Sequence, residues 1–208
     1  MTHDASYKLL FSHAELVADL LRGFLPPAWV EQLDLASLEK VSGSYVSDDL
    51  RARHNDVVWR LRWGPRWLYV YILLEMQSTV DRFMAVRLLS YVGLLYQDLI
   101  NAKQLSSGGK LPAVLPIVLY NGEQRWRAAT KLSELIEPPP AGLEPFQPSL
   151  RYLLLDEGRY SAEELSALDR NLAAALFRLE QSPTLDSTRA LIQALEQWLR
   201  APAQTGLR

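Results

Sequence analysis

The stretch WLYVYILLE, residues 67–75, decides the fold. Its first eight residues are apolar or aromatic without a break, which predicts a strand buried on both faces at the centre of a sheet. Residues 56–63 alternate apolar and polar side chains and predict a half-buried strand, joined to the first by a turn at Gly64-Pro65. The centre of the protein is therefore expected to contain a β-hairpin.

Further strands and helices surround this hairpin in the sequence. Residues 113–120 predict a buried strand in which Pro116, lacking an N–H, requires an edge or a bulge. Residues 151–155 predict a last short strand. After residue 120, Asn121-Gly122 is a strong turn signal, and residues 137–148, with five of the twelve prolines, predict an irregular connection.

Helices are predicted before, between and after the strands. The first opens the chain, and Ser12 to Glu15 is a capping-box pattern for the second. A long helix from about 81 to 104 is expected to pack on the sheet through residues at helical spacing, which are Phe83, Val86, Leu89, Val92, Gly93 and Tyr96.

At the C-terminal end, Ser161 to Glu164 caps a helix that carries leucines 165, 168, 172, 176 and 179, and another helix carries residues 191–199. This order of elements predicts an α/β sandwich with a mixed sheet. We expect one domain, with a core in residues 1–160 and a helical extension in residues 161–208 packed on it.

Composition excludes several classes of site and of protein. The chain has 208 residues, 49% of them hydrophobic, and no cysteine, which excludes disulfides, thiolate metal sites and cysteine nucleophiles. Its apolar stretches are far shorter than the ~20 residues of a membrane-spanning helix, and no charged and then apolar leader opens it. A cytoplasmic protein that does not contact a membrane is expected.

Charge is unevenly distributed along the sequence. The formal net charge is −2, yet residues 51–87 contain seven arginines and three acids, a local balance of +4. Trp59, Trp63 and Trp67 interleave with these arginines, a pattern that suits a surface binding phosphates and stacking bases. Ordinary surface arginines and buried core tryptophans are the alternative interpretation, and for most of the tryptophans we expect the core.

Two acids stand where a metal site is possible. Glu75 follows eight apolar residues, so burial there requires a positive partner. Antiparallel pairing through the hairpin returns Asp56 towards the end of the strand that carries Glu75, and Met76 offers its backbone carbonyl. Two carboxylates, a carbonyl and waters suit Mg²⁺. The alternative is a Glu75 that only emerges into solvent and an Asp56 that only caps a turn.

Five sequence blocks, in order, resemble one known family. They are HDASYKLLF (3–11), RHND (53–56), LLEMQS (73–78), RLLSY (87–91) and LPIVLYNG (115–122). Together they resemble the recombination-promoting nuclease (Rpn) and transposase-like group of the PD-(D/E)XK superfamily. The resemblance covers roughly residues 3–155 and implies a PD-(D/E)XK core and metal-dependent cleavage of DNA in recombination or mobile-element biology.

The resemblance also implies roles for particular residues. Asp56 corresponds to the first metal-binding acid and Glu75 to the acid of the (D/E)XK half-motif. Arg87 and Tyr91 resemble the Gln-x-x-x-Tyr helix motif of related nucleases, directed towards the DNA backbone; a purely structural Tyr91 in the core is the alternative. Asp4 is a further acidic ligand or, as we prefer, a helix cap.

One departure concerns the motif lysine, since Gln77 stands in its place. A neutral amide can orient the attacking water but supplies no cation, and we expect Lys8 or Arg87 to restore that charge. Arg53, Arg60, Arg62, Arg82 and Arg87 are expected to hold the DNA backbone. The predicted function is therefore Mg²⁺-dependent (or Mn²⁺-dependent) phosphodiester hydrolysis. The alternatives are a DNA-binding module that no longer cuts, and a homodimer built on the terminal helices.

Overall fold

A computed structural model of the protein describes residues 3–41, 56–75 and 80–182. Five strands form one sheet in chain order. The pairs β1–β2 and β2–β3 are antiparallel, whereas β3–β4 and β4–β5 are parallel, which confirms the predicted mixed sheet. The strands are β1 (Leu33–Lys40), β2 (Asp56–Trp63), β3 (Arg66–Glu75), β4 (Ala113–Tyr120) and β5 (Leu153–Asp156).

Helices cover both sides of the sheet, as in a PD-(D/E)XK-like nuclease fold. One side buries a first core cluster against four helices, and the other buries a second core cluster against α4. The helices are α1 (His3–Leu10), α2 (Ala14–Phe24), α3 (Pro27–Val30), α4 (Met84–Asn101), α5 (Ala162–Ala167) and α6 (Leu172–Glu180). The four helices on the first side are α1, α2, α5 and α6.

Strand β3 is the centre of the sheet, as its apolar run predicts. Leu68, Val70 and Ile72 belong to the first cluster, and Tyr69, Tyr71 and Leu73 belong to the second. The turn before it places Gly64 at φ +55°, a conformation that favours glycine.

Strand β4 explains how a proline is accommodated next to the centre of the sheet. Pro116 pairs with Tyr71 of β3, but β4 first pairs with β5 at Ile117. Up to Pro116 the strand is therefore an edge, and the missing N–H interrupts no ladder on that side. At the other end Gly122 lies against the side chain of Tyr120, where a Cβ would come within 2.1 Å of the hydroxyl oxygen. Only glycine fits there.

The face of α4 differs from the prediction. Phe83 and Val86 are 52% and 42% exposed, whereas the buried stripe contains Met84, Ala85, Leu88, Tyr91, Val92, Leu95 and Leu99. The helix is apolar on more than one side, so spacing alone does not decide which side meets the sheet.

Two predictions about helix ends are wrong. Ser12 does not cap α2; its hydroxyl donates to the carbonyl of Lys8 at 2.6 Å and accepts from Lys40 Nζ at 2.7 Å. The capping box at Ser161 is confirmed, but the helix it begins ends at Ala167. A new helix follows because Asn171 caps α6 through the N–H of Ala174.

The predicted helix at residues 191–199 lies outside the described residues. Within the described ranges, no helix has both the length and the apolar character needed to cross a membrane.

Candidate functional site

The register of the hairpin brings the two candidate metal-binding positions together. Asp56, the first residue of β2, pairs with Leu73 of β3. Glu75 ends β3 two residues later. Paired residues of antiparallel strands share a side of the sheet, and residues two apart along a strand share it as well. Positions 56 and 75 therefore fall on the same side and at the same end of the sheet, about 7–8 Å apart as diagonal neighbours.

Helix α4 covers this same side of the sheet. Leu73, which pairs with Asp56, belongs to the second core cluster beneath α4. Tyr91 lies against Tyr71, with 6.0 Å between ring centroids, and Gln104, just beyond the helix, accepts from the Tyr69 hydroxyl at 3.1 Å. Later positions of α4 thus lie over earlier positions of β3. The first turns of α4 are consequently at the end of the sheet that carries Glu75.

Arg87 and Tyr91 form a fixed pair on these first turns. Arg87 Nε donates to the Tyr91 hydroxyl at 3.1 Å, and its Nη1 lies 3.2 Å from Asp81 Oδ2. Tyr91 is 6% exposed, so it is a core residue whose hydroxyl also holds an arginine. The core role and the helix-motif role that the sequence suggested for Tyr91 are therefore compatible. The side chain of Arg87 remains 39% exposed.

Lys8 lies on the other side of the sheet. Its helix α1 buries Tyr7 and Phe11 in the first core cluster. Burial, and next the charge of Lys8, lowers the pKa of Lys40, the last residue of β1. Tyr7, the neighbour of Lys8, contacts Asn121 just after β4, so Lys8 is at the same end of the sheet as Asp56 but on the opposite side. Its role as the replacement cation stays a prediction.

The predicted DNA-binding arginines are spread along the molecule. Arg82 is exposed beside Phe83, just before α4, at the end of this helix that lies over the Glu75 end of the sheet. Arg60 and Arg62 follow Asp56 on the same side of β2, but Arg62 pairs with Trp67 at the far end of β3. Six residues of strand separate Asp56 from Arg62, which is about 20 Å. Arg53, Met76 and Gln77 lie outside the described residues.

The tryptophans near these arginines divide between core and surface. Trp59 is 3% exposed and donates its indole N–H to the carbonyl of Phe11 at 3.0 Å, so it is a core residue as expected. Trp63 and Trp67 are half-buried. Only these two remain candidates for contact with a ligand.

A buried polar cluster at the same end of the sheet was not predicted. The Tyr7 hydroxyl donates to the Glu157 carboxyl group, at 3.2 and 3.3 Å from its two oxygens, and accepts from Asn121 Nδ2 at 3.1 Å. Glu157 is 2% exposed, and burial, then the charge of Glu180, raises its pKa to about 8. In sequence, Asp156-Glu157 after a short strand is typical of a surface turn. No periodic signal marks the glutamate as buried.

This cluster joins α1 to the ends of two strands. Asn121 follows β4 and Glu157 follows β5, while Glu75 pairs with Tyr120, the neighbour of Asn121. The carboxyl ends of β3, β4 and β5 lie at one edge because these strands are parallel. Ligands of α/β sheets commonly bind at such an edge.

Stability should depend on pH through Glu157. The folded protein keeps its proton up to a pKa of about 8, whereas the unfolded chain releases it near the ordinary value of 4.5. Between those values the free energy of unfolding should fall as pH rises, by up to about 1.4 kcal/mol per pH unit. Glu157→Gln should flatten this slope in urea titrations at pH 5 to 8. The exposed Glu163→Gln is the control, and an unchanged slope in Glu157→Gln would contradict the assignment.

Comparison with known proteins confirms the resemblance seen in the sequence. The profile of the family described as "Putative transposase, YhgA-like" matches residues 1–205. The chain is 34% identical over 122 residues to recombination-promoting nuclease RpnD of Escherichia coli O157:H7, which covers 59% of the chain and 46% of RpnD. It is 33% identical over 121 residues to RpnA of Escherichia coli K12, covering 58% of the chain and 40% of RpnA.

A third relative is named as inactive. The "Putative inactive recombination-promoting nuclease-like protein YjiP" of Escherichia coli K12 is 37% identical over 89 residues, or 43% of the chain and 86% of YjiP. The chain spans less than half the length of RpnD and RpnA. No solved structure matches the chain.

Proposed function

Since this chain belongs to the YhgA-like transposase family, we propose that it is a metal-dependent DNA endonuclease acting in recombination or in the movement of mobile elements. The observation that carries the proposal is the hairpin register, which places Asp56 and Glu75 on one side and at one end of the sheet. The Arg87–Tyr91 pair lies over the same end.

The donor set fits a hard divalent cation. Asp56, Glu75 and the backbone carbonyl of Met76 would hold Mg²⁺ or Mn²⁺, since these ions prefer oxygen ligands. A bound ion of this kind lowers the pKa of a coordinated water and neutralises charge on the phosphate. Gln77 orients the water through its amide, and the missing lysine charge is supplied by Arg87 or by Lys8.

Arg87 holds the phosphate backbone in this proposal. Asp81 and Tyr91 contact its guanidinium through two separate nitrogens, which fixes the orientation of this charge at the end of the sheet that carries Glu75. Such contacts bind the backbone and not the bases, which gives little sequence preference and strong sensitivity to salt.

The proposal is tested by nicking of supercoiled plasmid by the wild-type chain. Cleavage is expected with Mg²⁺ or Mn²⁺ and should stop on chelation with EDTA. Absence of cleavage with either ion, over a range of salt and protein concentrations, would refute it. Binding of DNA without cleavage would instead favour a DNA-binding module that no longer cuts. The relative named as inactive supports this alternative.

Replacing Arg87 should weaken substrate binding, and it should also slow cleavage if Arg87, and not Lys8, supplies the missing lysine charge. Arg87→Gln is expected to raise KM about tenfold and to reduce the slope of log affinity against log salt by about 0.9, the value for one lost duplex phosphate contact. Arg87→Lys keeps the positive charge but lacks the planar guanidinium group, so its KM should lie between those of the wild type and Arg87→Gln. Arg178→Gln, on α6 across the sheet, is the control. An unchanged KM in Arg87→Gln would contradict the assigned role.

A further inference from the structure

A basic groove opens at the end of the sheet away from Asp56 and Glu75. It lies between the starts of β3 and β4 and the loop after α4, and its volume is about 1160 Å³. The residues that bear on its chemistry are Arg60, Arg62, Arg66, Trp67, Tyr96 and Lys110. This volume exceeds the roughly 300–1,000 Å³ of a usual small-molecule pocket. The groove is therefore large enough for a polymeric ligand with several ring-containing units.

The groove is positive in a chain whose net charge is negative. Four cationic side chains line it, and no acidic side chain does among the described residues. Arg60 is paired with Glu39, outside the lining, with 2.6 Å between Nη2 and Oε2. Arg66 and Lys110 are exposed. Charge complementarity therefore indicates an anionic ligand.

Aromatic rings hold the arginines of the groove in place. The guanidinium carbon of Arg62 lies 3.8 Å from the centroid of the Trp67 ring, and that of Arg60 lies 4.6 Å from it. Guanidinium groups placed on a ring in this way lose little freedom when they bind a phosphate. Tyr96, half-buried, adds to Trp67 a second flat apolar surface in the wall on which bases can stack.

Strand β2 connects the groove to the candidate metal-binding positions. Positions 56, 58, 60 and 62 share one side of the strand, the side of α4, over about 20 Å. A nucleic acid held by Arg62 would thus have to span about 20 Å, several nucleotides, to reach position 56. A single strand leaves its bases free to stack on aromatic side chains of the groove, whereas the bases of a double helix are already paired and stacked.

We propose that this groove binds single-stranded DNA that flanks the scissile phosphate, so that the substrate is a duplex carrying a single-stranded segment. The inference rests on the proposed nuclease function and specifies its substrate class. Phosphates contact Arg62, Arg66 and Lys110, and bases stack on the aromatic wall. The groove positions the strand and takes no part in bond cleavage.

Binding is measured by fluorescence anisotropy with the full-length Glu75→Gln variant in Mg²⁺, so that the DNA stays intact. The probes are a labelled 20-nucleotide single strand of mixed sequence and the duplex of the same sequence. The single strand should bind roughly tenfold more tightly than the duplex. Adding Arg62→Gln or Arg66→Gln should each weaken single-strand binding by up to about tenfold and lower its salt slope by about 0.7. Arg178→Gln, with the same change of charge on α6, should do neither.

Three results would overturn the inference. They are equal affinity for single strand and duplex, unchanged single-strand affinity in both groove variants, and an equal loss in Arg178→Gln. Arg66 is exposed, so its replacement tests the groove even if Arg62→Gln disturbs the packing of Trp67. Plasmid nicking by the wild type reports on the nuclease function separately. If the protein nicks plasmid but fails this binding test, the proposed nuclease function stands and the proposed single-stranded substrate is refuted.

Discussion

Asp56→Asn and Glu75→Gln should each reduce plasmid cleavage at least about 100-fold. Both substitutions keep the size of the side chain and remove its charge, and a metal ion at such a site contributes several kcal/mol to stabilising the transition state. The rate is measured by nicking at saturating Mg²⁺ or Mn²⁺. Asp169→Asn and Glu163→Gln, exposed carboxylates near α5, are the matched controls and should cut like the wild type.

The same two variants can be checked without any cleavage assay. If Mg²⁺ binds at Asp56 and Glu75 of the folded state, it should raise the melting temperature of the wild type, and this rise should disappear in both variants. Their DNA binding should persist, because the phosphate contacts belong to other residues. If both variants cut normally and keep the metal-dependent rise in melting temperature, the assignment of a metal site to Asp56 and Glu75 is wrong, whatever activity the relatives have.

The hairpin that supports this site was predictable because its signals are local and agree with one another. The apolar run of β3, the alternation in β2 and the turn at Gly64-Pro65 all indicate the same pairing. That pairing alone sets the register between Asp56 and Leu73, and hence the relation of positions 56 and 75. No tertiary information was needed for this step.

Other parts of the structure depend on contacts between distant residues, which no local pattern records. The side of α4 that is buried is chosen by Tyr69 and Tyr71 below it, since the helix itself offers apolar residues on several sides. The helix predicted from Ser161 onwards is interrupted because Asp19, far away in α2, accepts the N–H of Leu172 at 2.8 Å. Glu157 is buried because Tyr7, 150 residues earlier, meets it.

The positions of the arginines around the candidate site also could not be predicted from local sequence patterns. Their clustering in sequence is real, but a strand extends about 3.4 Å per residue, so neighbours in the sequence of β2 are distributed over about 20 Å. Arg60 and Arg62 consequently belong to a groove at one end, and Arg82 and Arg87 belong to the other end. The sequence indicated a cluster of arginines but not that the structure divides this cluster between two ends of the sheet.

Phe177→Ala should destabilise the whole protein by about 3–5 kcal/mol, the usual cost of removing a buried phenylalanine side chain. Phe177 on α6 is completely buried in the first core cluster, and the half-buried Phe24 of α2 packs against that cluster. Its ring lies 4.9 Å from that of Phe24 and 6.2 Å from that of Tyr160. Residues 161–182 therefore contribute to the same core as the sheet.

Unfolding in urea followed by tryptophan fluorescence tests this directly. Five of the six tryptophans precede residue 160, so the signal reports mainly on the sheet and its nearer helices. If the extension shares their core, the transition of Phe177→Ala should shift to lower urea as a single step. Phe146→Ala is the matched control, since Phe146 is 79% exposed and its loss should change stability by less than about 0.5 kcal/mol. A tryptophan transition that does not move in Phe177→Ala would mean that the C-terminal helices unfold independently of the sheet.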